Sequence, residues 1–364
     1  MKKLIAILAM VALVSGAAFA QVGANVIGTV NVIESGHTND DGEDTVGGSA
    51  GMDRIRFQGT GETDDGKFGG FIRLDLMHWS GDHIGEGLAW WKPIQQFKLS
   101  IGGNSDGIWG KEGVTGWMFY QMITDTDTTF GGENVWGGGF GAGFNTRHVF
   151  YQGFQSEGLL FDIKPVDFIG INVALPYFSP GQITNILKGV HAQLDVNLDF
   201  GNIAVTYAGD AGASSNGKLF AFFSLNAIDN LGLDVGFSFT LPGEDEVMAP
   251  LGIGLGFKFD VSDAFGIKAR VATALAGDDG NFGLLFDLLP YFALNDNLKI
   301  FASAGIAMVS PDGGDLQLAW HVNPYVEIGN EWGPTFYAGF KLEGDNAEGS
   351  KVKWSVPVAI GISF

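Results

Sequence analysis

The chain contains no cysteine. A disulfide framework and a thiolate metal centre are therefore excluded. Cations are scarce as well: 20 Lys and Arg stand against 41 Asp and Glu, a formal charge of −21. Such a chain repels phosphate backbones, so nucleic acid is excluded as a partner. Beyond Val14 no apolar run reaches the roughly 18 residues that a spanning helix needs. If the chain crosses a membrane, it crosses as a closed sheet, because only helices and closed barrels satisfy every backbone polar group in lipid.

The first residues read as an address. Lys2 and Lys3 precede an apolar stretch from Leu4 to Val14, and Ala18-Phe19-Ala20 supplies a small-residue cleavage pattern. The expectation is a cleaved secretory signal over 1–20, with Gln21 to Phe364 as one structural domain. Glycine is abundant, 57 of 364 residues against a usual share of roughly 7%, and so are aromatics, with 30 Phe and 9 Trp. A disordered Gly-rich chain lacks such aromatics. The mixture suits many short strands joined by tight turns.

Period-two alternation carries the argument. Val352, Trp354, Val356, Val358, Ile360, Ile362 and Phe364 fall on one parity, while Lys351, Lys353, Ser355, Ala359, Gly361 and Ser363 fall on the other. A strand sends alternate side chains to opposite faces, so one face is greasy and the other small or charged. The same pattern runs through Val190–Phe200, Leu233–Phe239, Leu251–Phe259 and Leu316–Ile328. Periodicity alone leaves open a soluble sandwich with the greasy face as its core.

The connections decide between the two. Short turns fall near Lys164–Asp167, Phe200–Asn202, Ala227–Leu231, Val261–Ala264, Asn295–Asn297 and Asn330–Gly333. Between them lie polar, Gly-rich loops such as Gly209–Gly217, Pro242–Ala249 and Glu343–Ser350, in hairpins of about 30 to 35 residues. This is a meander with turns at one rim and acidic loops at the other, whereas Greek-key sandwiches need long crossovers. The expected class is all-β, an antiparallel up-and-down transmembrane β-barrel of about 18 strands, with 16 as the alternative. In the first half the strands are placed near 22–33, 51–60, 67–78, 95–102 and 107–112.

With its export signal, its meander and its terminal Phe364, the chain resembles bacterial outer-membrane porins of the general-diffusion type. The resemblance implies a bacterial outer-membrane location, outer-membrane lipids around the wall, and Phe364 as an ending read by the outer-membrane assembly machinery. It implies a water-filled channel for passive diffusion of ions and small hydrophilic solutes, no cofactor, no enzymatic activity, and a homotrimer among the allowed assemblies. The alternative is a surface protein whose loops act in adhesion or ligand binding.

One connection departs from the repeat. Glu112 to Ser156 is the third outer loop, and its aromatics, Trp117, Phe119, Tyr120, Phe130, Trp136, Phe140 and Phe144, argue against disorder. The resemblance implies that this loop folds inward and narrows the channel; an external flap at the mouth is the other reading. Glu112, Asp125, Asp127 and Glu133 are its candidate constriction carboxylates. Arg54, Arg56, Arg73, Asp75, Lys268 and Arg270 share the inward parity and are the candidate pore-lining residues. Folding the hairpin about the Gly61–Gly66 turn brings Arg54 near Arg73.

Other motifs fall away. Gly252, Gly254 and Gly256 open no helix and read as small inward residues, not a dinucleotide fingerprint. His78, Asp82, His83 and Glu86, placed on an outer loop, lack metal-ligand spacing. No nucleophile sits in a recognisable catalytic context.

Overall fold

The computed structural model describes residues 21–37, 44–77, 84–104, 111–112, 129–130, 133–134, 139–140, 144–145, 151–152, 156–176, 183–209, 215–242, 251–275, 282–310, 315–329, 334–346 and 352–363. Its main sheet is built in chain order. The first six strands are β1 (Gln21–His37), β2 (Asp44–Glu62), β3 (Phe68–Met77), β4 (Ile84–Ile94), β5 (Phe97–Asn104) and β6 (Ser156–Val166). Next come β7 (Ile169–Leu175), β8 (His191–Leu198), β9 (Gly201–Ala208), β10 (Ser215–Ile228), β11 (Leu231–Pro242) and β12 (Leu251–Asp260). The last six are β13 (Phe265–Leu275), β14 (Phe282–Asn295), β15 (Leu298–Ser310), β16 (Gln317–Ile328), β17 (Pro334–Gly339 continuing as Lys341–Asp345) and β18 (Lys353–Ser363).

Each strand pairs antiparallel with its neighbours in the chain. β1 pairs both with β2, Ala24 opposite Phe57, and with β18, Val30 opposite Ile360. The ring therefore closes, and none of these 18 wall strands is left as an edge. The sheet counts 19 segments because β17 is interrupted at Phe340, so 18 strands make the wall. The number agrees with the sequence reading, but one strand differs in place. The segment expected over 107–112 is not in the wall: Lys111–Glu112 pairs with Tyr151–Gln152 in a separate two-stranded ladder. The missing wall strand is β4, IGEGLAWWKPI, whose glycines, adjacent tryptophans and proline hide the alternation. The third outer loop accordingly runs from Asn104, not Glu112, to Ser156.

Short turns gather at one rim: Thr63–Lys67, Asp167–Phe168, Asp229–Asn230 and Asp296–Asn297 among them. At Asp229–Asn230 the backbone turns left-handed, φ 66° at Asn230, a conformation that asparagine tolerates through its short polar side chain. In the first turn Asp65 accepts hydrogen bonds from the Thr63 hydroxyl at 2.8 Å and the Lys67 N–H at 3.1 Å, which hold its carboxyl below the ordinary range. On the opposite rim the β7–β8 connection carries a short helix, α1 (Ile183–Lys188). Among the described residues no helix is long and apolar enough to cross a membrane.

The two faces are sorted in the reverse of a soluble protein. Large apolar side chains lie exposed on one face: Phe57, Ile101, Leu194, Phe237, Leu255, Phe286, Val322 and Ile328 are 40–49% accessible. The opposite face buries Arg73, Asp234, Lys268, Arg270, Asp287, His321 and Asn323 below 9%. A soluble sandwich buries its greasy face, and this chain exposes it. An outward apolar band around a polar interior is the arrangement hydrocarbon requires.

Prolines weaken one part of the ladder. Between β14 and β15 the pairing passes from Leu288↔Ala304 to Tyr291↔Phe301, skipping Leu289 and Pro290. Between β16 and β17 it passes from Val322↔Leu342 to Tyr325↔Gly339, around Pro324. Proline has no N–H to give. The register is kept on both sides of the second gap, where Phe340 N–H still donates to Pro324 C=O at 2.9 Å. At the same height the inner face carries an aromatic block. Leu289, Phe301 and Tyr325 are at most 3% exposed, Tyr291 and Tyr337 pack against them, and Phe301 stacks on Tyr325 at 4.8 Å. Gly266 and Gly339 flank this row, and a Cβ at either would strike the Tyr291 or Tyr325 side chain. Packing of side chains holds these strands together where backbone donors are missing. Phe301→Ala should therefore lower the stability of the refolded barrel by about 3 kcal/mol in denaturant titrations, the scale of a buried Phe→Ala change. An unchanged midpoint would show that the ring braces nothing.

Candidate functional site

The inner wall is the candidate site, and opposite charges meet across it in register. Arg73 on β3 stands opposite Glu86 on β4 and pairs with it at 2.9 Å. Lys98 on β5 faces Asp162 on β6 at 2.8 Å. Arg270 on β13 faces Asp287 on β14, with Nε donating to Oδ2 at 2.6 Å. Lys299 on β15 faces Glu327 on β16 at 3.4 Å. Directly opposed charges of unlike sign support antiparallel pairing, and like charges oppose it. The one directly opposed like pair among these strands, Lys258 and Lys268, is relieved because Lys258 turns to Asp260 on its own strand at 2.8 Å.

A second part of the wall is built from amides around a carboxylate. Asp195 on β8 accepts from Asn172 Nδ2 at 2.9 Å and from Gln193 Nε2 at 2.9 and 3.0 Å. Thr206 donates to Gln193 Oε1 at 3.1 Å, so the chain of bonds crosses β7, β8 and β9. All four side chains are at most 6% exposed. Buried polar groups are tolerable only when bonded in this way. Further round, His321 Nε2 lies 3.0 Å from Ser303 Oγ.

The sequence-derived residues divide as follows. Lys268 and Arg270 lie buried on the inner wall of β13. Arg73 is inward too, but the expected proximity to Arg54 is wrong: Gln58 stands opposite Arg73, and Arg56 stands opposite Asp75. The hairpin closes at Glu62↔Gly69, nearer β3 than a turn over Gly61–Gly66 allows, and a register shift falls between Ile55 and Arg56. Arg54 pairs with Ile27 of β1 on its other side. Glu86, set on an outer loop by sequence, is a wall residue and the partner of Arg73. Asp199, near the end of the alternating stretch Val190–Phe200, sits exposed in the Asp199–Phe200 turn. Glu112 pairs with Tyr151 and Glu133 with Phe130 in small ladders between β5 and β6. Asp125, Asp127, Phe364 and the segment 1–20 lie outside the described residues.

No protein-family model matches the sequence, and no curated protein matches it. Solved structures do match in shape. An anion-selective porin from Comamonas acidovorans aligns over 95% of this chain and 100% of its own, with a TM-score of 0.59 and 11% identity. The chain has the fold of the bacterial outer-membrane porins. OccK3 of Pseudomonas aeruginosa aligns over 95% of this chain and 96% of its own, with a TM-score of 0.54 and 12% identity. The outer membrane channel DcaP of Acinetobacter baumannii aligns over 96% and 98%, with a TM-score of 0.52 and 14% identity. Identities so low carry the fold and say nothing of the wall chemistry.

The buried ion pairs are open to test. Arg270→Met keeps the apolar stem but removes the cation bonded to Asp287, and both groups are below 7% exposed. Breaking such a pair costs about 3 to 5 kcal/mol because a charge is left behind. Adding Asp287→Leu should restore most of the loss in denaturant titrations. Equal instability of the single and double variants would show that packing, and not charge, links β13 to β14.

Proposed function

We propose that this chain is a porin of the bacterial outer membrane, a water-filled channel for passive diffusion of ions and small hydrophilic solutes. One observation carries the reading: a ring of 18 strands, closed by the pairing of β1 with β18, turns its apolar face outward and its charged face inward. A ring of that size encloses an aqueous lumen, since side chains fill only barrels of about eight strands. An outward apolar band fits outer-membrane lipid. The porins and channels of the same fold support the reading from shape.

In this reading Arg54, Arg56, Arg73, Asp75, Lys268 and Arg270 contribute to the lumen wall. The loop between β5 and β6, with Glu112, Asp125, Asp127 and Glu133, narrows the channel. Arg73 pairs with Glu86 and Arg270 with Asp287 at close range, which weakens their field in the lumen, and Arg54 and Arg56 are the cations assigned to act on solutes. The segment 1–20 directs export, and Phe364 serves barrel assembly. Outer-membrane lipids, the assembly machinery and small solutes are the partners, and a homotrimer is an assembly the reading allows.

Planar-bilayer recording tests this. The purified protein should give stable conductance steps, and shortening the β5–β6 loop should enlarge them. Neutralising Arg54 and Arg56 together should move ion preference toward cations, because wall charges act at close range in a narrow lumen. Insertion without conductance would overturn the channel reading. Conductance indifferent to loop length would leave the channel and remove the constriction.

A further inference from the structure

A row of inner-wall residues runs along the hydrogen-bonding direction from β11 to β18. Asp234 stands opposite Gly256, Gly256 opposite Arg270, and Arg270 opposite Asp287. Asp287 stands opposite Gly305, Gly305 opposite His321, His321 opposite Glu343, and Glu343 opposite Lys353. Read in order, the row is carboxylate, gap, guanidinium, carboxylate, gap, imidazole, carboxylate, ammonium. The two gaps are glycines, so no side chain stands between Asp234 and Arg270 or between Asp287 and His321. Asp234, Arg270, Asp287 and His321 are all below 7% exposed, on the polar face.

We propose that His321 is a selectivity-determining residue of this channel, its proton setting the net charge of the transverse row and hence the balance of cation against anion passage. The proposal rests on the channel reading above. Carboxylates, Lys and Arg keep one charge between about pH 5 and 8, whereas imidazole changes its charge within that range. His321 is the one imidazole in the row, and its place is between two carboxylates. Asp287 lies beyond Gly305 on one side, and Glu343 is directly opposite on the other.

The charged groups around the ring come from each strand packed near it. β13 brings Lys268 and Arg270, and β14 brings Asp287. β15 presents Ser303 and Gly305 at this level, with the Ser303 hydroxyl 3.0 Å from His321 Nε2. β17 brings Glu343, with Lys341 2.9 Å from it, and β18 brings Lys353. With the ring neutral, the two carboxylates flank an uncharged position. With the ring protonated, a cation joins them and the row gains one positive charge. Away from bulk water such a charge is screened less than at a surface. Acid should therefore move the channel away from cations, and base toward them.

The test is the reversal potential of the full-length protein in planar bilayers under a potassium chloride gradient, from pH 8 to pH 5. The cation-to-anion permeability ratio should fall along a one-proton curve as pH is lowered. His321→Gln should hold one ratio across the range. His191→Gln, which alters a histidine of another wall strand, should keep the fall. Glu343→Gln, which removes one flanking carboxylate, should keep the fall and move its midpoint to lower pH. This variant decides the matter if His321→Gln does not assemble, and an unmoved midpoint then counts against the proposal. A ratio indifferent to pH in the unmodified protein, or the same fall in His321→Gln, overturns the role of His321. Absence of conductance in every protein overturns the channel itself, a different result.

Discussion

Every backbone N–H and C=O inside hydrocarbon must find a partner within the protein, and the rest of this structure follows from that requirement. An open sheet leaves two edges unpaired; the pairing of β1 with β18 removes both. Closure by antiparallel neighbours makes the strand number even and puts turns at one rim and loops at the other. It also gives each strand two unlike environments. Side chains of one parity form the exposed apolar face and those of the other the interior, so exposed Phe286 and buried Asp287 belong to the same strand without conflict.

Prolines test the rule. Pro290 and Pro324 sit inside wall strands, where a missing donor is expensive, yet the strands keep their register across both gaps. The inner face supplies what the ladder lacks: Leu289, Phe301 and Tyr325 bury against one another, flanked by Tyr291 and Tyr337. A stacked aromatic pair adds roughly 0.5–1.5 kcal/mol beyond its buried area, comparable with one net hydrogen bond. The exchange leaves a wall held in part by side chains.

Charge is distributed by the same geometry. The acidic excess of the sequence, 41 against 20, gathers in connections such as Glu244–Glu246 and Glu62–Asp65. On the wall, by contrast, several acids and bases meet across neighbouring strands, Arg73 with Glu86, Lys98 with Asp162, Arg270 with Asp287. Paired charges pin the register, because a slip of one residue would turn each pair to opposite faces. The wall is polar without carrying the large negative charge of the chain.

Face assignment and most of the hairpin order were legible in the sequence because each depends on nearest neighbours: a period of two, a turn, a loop. The strand number agreed because the strand read at 107–112 stood in for the missed β4. The C-terminal half, from Leu233 to Ile362, alternates so regularly that its strands can be read from the letters. Local signals failed where alternation is masked, as in β4, where Gly85, Gly87, Trp90 and Trp91 give no contrast between faces. They failed again where a long-range register matters. Arg73 and Glu86 carry no sequence mark of partnership because β4 itself was hidden, and one misjudged turn closure placed Arg54 beside Arg73 where Gln58 stands. Which of the inward charges meet depends on the register of each strand pair, and that His321 falls between Asp287 and Glu343 depends on four strands, β14 to β17, being in register at once. Composition and periodicity determine which residues face inward. Only the closed sheet decides which of them stand side by side.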